Sequence, residues 1–369
     1  MRVLGLASYP VQAAATRYRL EQFVQPLKEY GITLSVRPFL SSKTFHQLYK
    51  RNALLSTGVG LMNSAFTRAT DLGRLRTTDV VLVQREAAIL GPPVFEWIAT
   101  RLFRRPMVLD LDDATYISYT SPTYGSLGRK LKWFSKTDDL IAWSAIVTCG
   151  NRSIAEYVTS KGGDARVIPT VVDTDAFRPL ACRHAGPIVL GWIGTHSTFP
   201  YLEAIFPALQ KLASQREFKL KIVGSGRDRI DLTGVSIENL EWQLDREILD
   251  FQSFDIGLYP ISSTMYAEKW AAGKSGFKSI QYMAVGIPYV ASPVGAVTEM
   301  GKEGVTHLHA TTIDDWFSAL DSLMGDREKR EKMGAAGREH VCRHYSVAGQ
   351  AKKLAEAIRE AIAKGKASQ

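Results

Sequence analysis

Cysteine is scarce in this chain. Cys149, Cys182 and Cys342 are its three cysteines, spread over 369 residues. They form no CxxC pair and no Cys/His cluster, which argues against a disulfide framework and against a structural zinc site. Long apolar runs are also missing. No stretch reaches the roughly 18 apolar residues that a membrane-crossing helix needs, and the opening MRVLGLASYP is too short an apolar run for a signal peptide. The expected location is therefore the cytoplasm. No segment repeats and none is of low complexity. No helix-turn-helix, zinc-finger or RNP-like signature appears, which sets nucleic acid aside as a partner. The phosphate-binding consensus loops fail as well. GSGRDR (224–229) lacks the third glycine of GxGxxG, and Glu268 stands where a P-loop ending in Gly273-Lys274-Ser275 requires glycine.

What remains is an ordinary globular composition, 45% hydrophobic and 22% charged, in a chain long enough for about two domains. The net charge of +9 is uneven: residues 1–178 hold 23 Lys and Arg against 15 Asp and Glu, and the rest is nearly balanced. An excess on one half points to an anionic partner there, a membrane surface or an anionic substrate.

Short β-branched runs alternate with helical stretches. RVLGLA (2–7), DVVLV (79–83), PMVLDL (106–111), AIVTC (145–149) and ARVIP (165–169) read as buried parallel strands. Helical patterns run from Arg19 to Tyr30 and from Pro93 to Phe103. The alternation restarts with IVLGWI (188–193), FKLKIVG (218–224), FDIGLY (254–259) and IPYVAS (287–292). Between the two series, 171–187 is polar, carries prolines and lacks periodicity, as a linker would. The expected architecture is α/β, with two Rossmann-like, doubly wound parallel-sheet domains at 1–178 and 179–346. A long amphipathic helix from Val347 follows.

The stretch GKSGFKSIQYMAVGIPYVASPVG (273–295) invites a chemical reading. Gly286 followed by Pro288 marks a helix end, so the helix covers about 276–285 with Ser275 as its N-cap. Its first-turn amides at Gly276 and Phe277, with the helix dipole and Lys274 and Lys278 nearby, make an anion site suited to phosphate. The competing reading is a solvated helix start; Ile280, Tyr282 and Met283 are core. A second candidate is the loop Gly194-Thr195-His196-Ser197, between a strand and a helix opening near Pro200, where doubly wound sheets bind nucleotides. His196 there either donates to a phosphate or sugar oxygen or simply meets water.

Taken together, the two domains, the segment VIPTVVDTDAFRP and the helix-strand stretch QYMAVGIPYVASPVGAVTEM (281–300) resemble the GT-B glycosyltransferases, most closely the retaining glycosyltransferase family 4. The resemblance implies two domains facing a cleft, with a nucleotide-diphosphate sugar on the second and the acceptor on the first. The tail from GREHVCRHYS through the last helix, about 347–369, would cross back onto the first domain. The resemblance places the diphosphate at Gly276 and Phe277, with Ser275, and puts Lys274 and Lys278 on the leaving group. Gln281 falls on the nucleotide ribose, and Glu299 falls in the donor site. The family usually carries Glu-x7-Glu where this chain has Gly273 and Gln281. The donor would be a UDP- or GDP-sugar used as co-substrate, with no metal and no further cofactor.

On the first domain, VLDLDDATY (108–116) sets carboxylates at a strand end. Asp112 or Asp113 is expected to hydrogen-bond an acceptor hydroxyl and take its proton; the alternative is a turn cap or a pair with Arg85. Arg85 and Glu86 close another strand on the same side, and Arg17 and Arg19 open the first helix; these four are expected around the acceptor, a glycan or lipid-linked sugar. LGRKLKWFSK (127–136) reads as a basic amphipathic helix able to lie on an anionic membrane, or as a plain surface helix. The rival functions are a nucleotide-sugar epimerase on the same fold and a non-catalytic nucleotide-sugar-binding scaffold.

Overall fold

A computed structural model describes residues 1–48, 53–118, 131–180, 186–261, 273 and 275–367. The chain divides into two compact units. One is Met1–Val171 with Val347–Gln369, and the other is Val172–Ser346. Among the described residues, no helix is long and apolar enough to cross a membrane.

A parallel sheet in the order β2-β1-β3-β4-β5-β6 forms the first unit. Its strands are β1 (Arg2–Ala7), β2 (Thr33–Pro38), β3 (Val80–Gln84), β4 (Met107–Leu111), β5 (Ile146–Cys149) and β6 (Ala165–Val167). Val3, Val80, Leu82, Val108 and Ile146 join the core on one face, and Leu4, Leu6, Val81, Leu109 and Val147 that on the other. Both faces are covered, which is why these strands read as unbroken apolar runs. One cover is the last helix, Val347–Ala367. Its Ala351, Leu354, Ala355, Ile358 and Ala361 recur at helical spacing and sit in the core with the sheet.

The second unit repeats the plan in the order β12-β11-β10-β7-β8-β9, again all parallel. The strands are β7 (Ile188–Ile193), β8 (Phe218–Val223), β9 (Ser236–Leu240), β10 (Ile256–Tyr259), β11 (Tyr289–Ala291) and β12 (Leu308–His309). Counted within the unit, this is the Rossmann order. Glycines inside β7 and β10 admit aromatic rings from one face: a Cβ on Gly191 would fall 1.9 Å from the Phe254 ring, and one on Gly257 would fall 2.6 Å from the Tyr282 ring. Tyr282 in turn donates its hydroxyl to backbone oxygens of Gly191 and Leu258 at 3.2 and 3.0 Å. The helix Phe277–Ala284 is thereby locked across the sheet.

Three strands lie outside the expected runs: β2, β9 and β12. Each is a sheet edge, with residues only partly buried, so selection for apolar side chains there is weak. The helix expected from Arg19 to Tyr30 is interrupted instead. Ala14–Arg19 ends at Leu20 (φ −127°, ψ −58°), and a new turn starts at Pro26, whose ring removes a backbone donor. Within 127–136, residues 127–130 lie outside the described residues. In the remainder Trp133 has φ 54°, so no single helix runs through to the helix Lys136–Trp143.

Candidate functional site

In the second unit the strand order reverses between β7 and β10, and an open α/β sheet binds ligands outside the carboxyl ends at such a point. The helix Phe277–Ala284 ends near the opposite edge, because Gly257 at the start of β10 donates to Pro288 O at 2.9 Å. Its N-terminus therefore lies at the carboxyl edge. The N-cap is Gly276 and not Ser275: Gly276 has φ 60°, ψ 21°, and no side chain caps the helix. A Cβ on Gly276 would meet Met300 at 2.7 Å, so both the left-handed backbone and the neighbour favour glycine. Ser275, Phe277 and Lys278 are half-buried beside it. Lys278 Nζ donates to Gln281 Oε1 at 3.2 Å and lies 5.5 Å from the Phe251 ring centroid. Gln281 is fully buried, and Gly273 is buried too. Lys274 and Glu268 lie outside the described residues. Glu299 is exposed at the end of the turn Gly295–Glu299.

The loop after β7 is the second element of this edge. Thr195, His196 and Ser197 are exposed, with Thr195 Oγ1 2.8 Å from Ser197 Oγ and Thr195 N donating to Thr198 Oγ1 at 3.0 Å. The loop after β8 presses on it. A Cβ on Gly224 (φ 81°) would fall 2.5 Å from Gly194 O, and one on Gly226 (φ 67°) would fall 2.7 Å from His196 Cβ. GSGRDR is thus a backing for the His196 loop. The paired glycines directly after an apolar run were the sequence signal for it.

In the first unit the carboxyl ends of β3 and β4 bring their acids and bases together. Arg85 takes φ 63°, a left-handed backbone that is uncommon for this residue. It grips Asp112 through Nε–Oδ1 at 2.6 Å and Nη2–Oδ2 at 2.7 Å. Gln84 Nε2 donates to Asp112 Oδ1 at 2.9 Å. Burial pushes the Asp112 carboxyl up, and Arg85, Arg19 and Gln84 outweigh it, so the group is held below the usual carboxylate range. Asp113 is less buried, 3.8 Å from Arg85 Nη2, and accepts from Ala114 N at 3.0 Å. Glu86 pairs with Lys136 Nζ at 2.7 Å. Arg19 is buried, bonded to Asp110 and to Ile168 O at 2.7 Å. Arg17 donates to the carbonyls of Val11 and Gln12 at 3.1 and 3.2 Å and stacks over Tyr18. Gln84 was not among the expected residues; its amide is silent in a strand that reads as plain core.

Residues 206–356 match a family model described as glycosyl transferase-like. Comparison of the sequence with curated proteins yields no match. Solved structures share the fold of nearly the whole chain. Anabaena HepE in complex with UDP and glucose superposes with a TM-score of 0.65 at 15% identity, covering 97% of this chain and 99% of that one. Sucrose-phosphate synthase from Thermosynechococcus elongatus gives 0.66 at 15%, with 98% and 99% covered. A glycosyltransferase from Rickettsia africae ESF-5 gives 0.70 at 15%, with 98% of each chain covered. At this identity the structural likeness is one of fold. The glycosyl transferase-like match falls mostly in the second unit and runs into the last helix, and the shared fold is of GT-B type.

Proposed function

We propose that the protein is a retaining, metal-independent glycosyltransferase that moves a sugar from a UDP- or GDP-sugar to a glycan or lipid-linked acceptor of a cell-surface polysaccharide. The observation that carries the donor half is the N-terminus of Phe277–Ala284, opened by left-handed Gly276 with Lys278 in its first turn. Negative charge grows on the departing phosphate during glycosyl transfer. Fixed amides and an ammonium at that point stabilise the transition state more than the ground state. UDP is favoured by the HepE complexes, which hold UDP and UDP-glucose. Retention rests on the resemblance to family 4.

The acceptor half rests on the Arg85–Asp112–Asp113 cluster. Asp112 is occupied by Arg85 and Gln84. Asp113 is the carboxylate left to accept from an acceptor hydroxyl, and Arg85 offers a fixed positive charge beside it.

The test is incubation of the full chain with a panel of nucleotide sugars, with and without glycan and lipid-linked acceptors, reading released nucleotide and the anomer formed. Nucleotide release that depends on acceptor is expected. An isomerised donor without acceptor means an epimerase, and donor binding without turnover means a scaffold; either result removes this reading. Activity abolished by chelator and restored by a divalent cation would remove its metal-independent part.

A further inference from the structure

Lys136 closes the stretch 127–136 that was expected on an anionic surface, yet its side chain is buried. Its ammonium has three hydrogens, and the fold offers three acceptors. They are Glu86 Oε2 at 2.7 Å, Ala88 O at 2.8 Å and Gly91 O at 3.2 Å. All three belong to one loop, 85–91, which follows β3. Lys136 also opens the helix Lys136–Trp143, whose Leu140 and Ile141 are packed in the core with the sheet. The clamp is therefore mounted on a fixed element.

The rest of the loop is held from several sides. Ser8 Oγ donates to Glu86 O at 3.0 Å, Ala87 N to Glu96 Oε1 at 2.7 Å and Arg68 Nε to Ala87 O at 2.9 Å. Gly91 N donates to Leu131 O at 2.9 Å. At the head of the loop stands Arg85, with its left-handed φ of 63° and its N bonded to Asp110 O at 2.8 Å. A left-handed arginine costs free energy, and desolvation cancels much of the attraction in a buried ion pair. Stability alone explains neither feature. Both are explained if the place of the Arg85 guanidinium matters, since it grips Asp112 with two prongs and stands 3.8 Å from Asp113. Glu86, expected around the acceptor, is engaged by Lys136 instead.

We infer that Lys136 is a positioning residue of the acceptor site, holding the loop 85–91 so that the Arg85 guanidinium stays fixed beside Asp112 and Asp113. The role rests on the reaction proposed at Asp113, and Lys136 acts in it through Arg85 without touching substrate. A misplacement of about 1 Å at a reacting group can lower a rate about 100-fold. Loss of the three bonds should therefore be felt in kcat and not in donor binding.

The experiment measures kcat, donor KM and unfolding temperature on the full chain, with acceptor-dependent nucleotide release as the rate, at a temperature where every variant is folded. Lys136→Met should lower kcat roughly tenfold and leave donor KM within about twofold of the parent. Its unfolding temperature should fall too, since Glu86 is left buried without its partner. Leu140→Ala opens a cavity under the same helix; it should lower the unfolding temperature at least as far and keep the parental kcat. In an Arg85→Lys background the two-pronged grip is already lost, so adding Lys136→Met should change kcat by less than about twofold. Three results would each overturn the inference and leave the proposed reaction standing: a parental kcat in Lys136→Met, the tenfold loss repeated in full on Arg85→Lys, or an equal loss of kcat in Leu140→Ala. A parent that releases no nucleotide in response to acceptor removes the reaction, and the role of Lys136 with it.

Discussion

Arg85 holds Asp112 in a two-pronged ion pair, with contacts of 2.6 and 2.7 Å. The pair separates two adjacent acids into different tasks. Asp112→Ala leaves the half-buried Arg85 guanidinium without its two-pronged partner, with only Asp113 nearby at 3.8 Å, and should cost about 2 kcal/mol of stability. Asp113→Asn should leave the unfolding temperature nearly unchanged and lower kcat about 100-fold, the scale of a lost proton acceptor. Calorimetry and steady-state kinetics on both variants check this. Equal losses of stability for the two, or full activity in Asp113→Asn, would reverse the assignment.

Lys278 provides the test of the phosphate site. Lys278→Ala should weaken binding of a nucleoside diphosphate by about 2 kcal/mol, the typical strength of a charge-assisted contact. Binding of the bare nucleoside should hardly change. Titration calorimetry with both ligands decides it, and a parallel loss for both would remove the lysine from the diphosphate.

Gly191 should tolerate no side chain. The methyl of Gly191→Ala would overlap the Phe254 ring, and that ring is wedged against Phe251 and Tyr282. A loss of about 3 kcal/mol is expected in urea unfolding, with part of it regained when Phe254→Ala is added, since the clash is with the ring's Cγ and Cδ atoms. A neutral Gly191→Ala would mean that the aromatic layer is loose.

His307 predicts a pH dependence. Its ring is buried, with Nδ1 2.9 Å from Thr306 Oγ1 and Nε2 2.9 Å from His309 Nε2; His309 Nδ1 lies 3.5 Å from Glu303. Burial, with smaller contributions from His309 and His340, pushes the imidazole down to about 4 from its ordinary 6.5. The folded chain keeps His307 neutral where the unfolded chain takes up a proton. Stability is therefore intact above 6.5 and declines as the pH falls from 6.5 towards 4. His307→Gln should flatten that decline in denaturant midpoints measured across the window. Identical slopes in the two proteins would show that other groups set it.

Much of the fold was legible because buried parallel strands cannot hide. β1 and β7 fall on the expected runs residue for residue, and β3, β4, β5, β8, β10 and β11 begin or end within two residues of theirs. The edge strands β2, β9 and β12 escaped because half-wet backbone asks for little apolar sequence. The helix Leu54–Thr70 escaped for a related reason: its apolar residues face outward, and periodicity alone does not say which side of a helix meets the core.

The site divides in the same way. The helix start at 273–278 could be read because Gly, Ser and Lys have few other reasons to crowd a helix N-terminus. That the cap is Gly276, held by its left-handed φ and by Met300, is a matter of which loop packs there. The acids at 110–113 were visible as chemistry but not as roles. Arg19 took Asp110, Arg85 and Gln84 took Asp112, and Asp113 was left more exposed. By itself the sequence determined the alternation of strands and helices and the charge imbalance, since local periodicity and composition set these. Only the tertiary structure decided which charges neutralise one another, because partners 27 and 91 residues apart meet only when the sheet brings strand ends and helix starts to one edge.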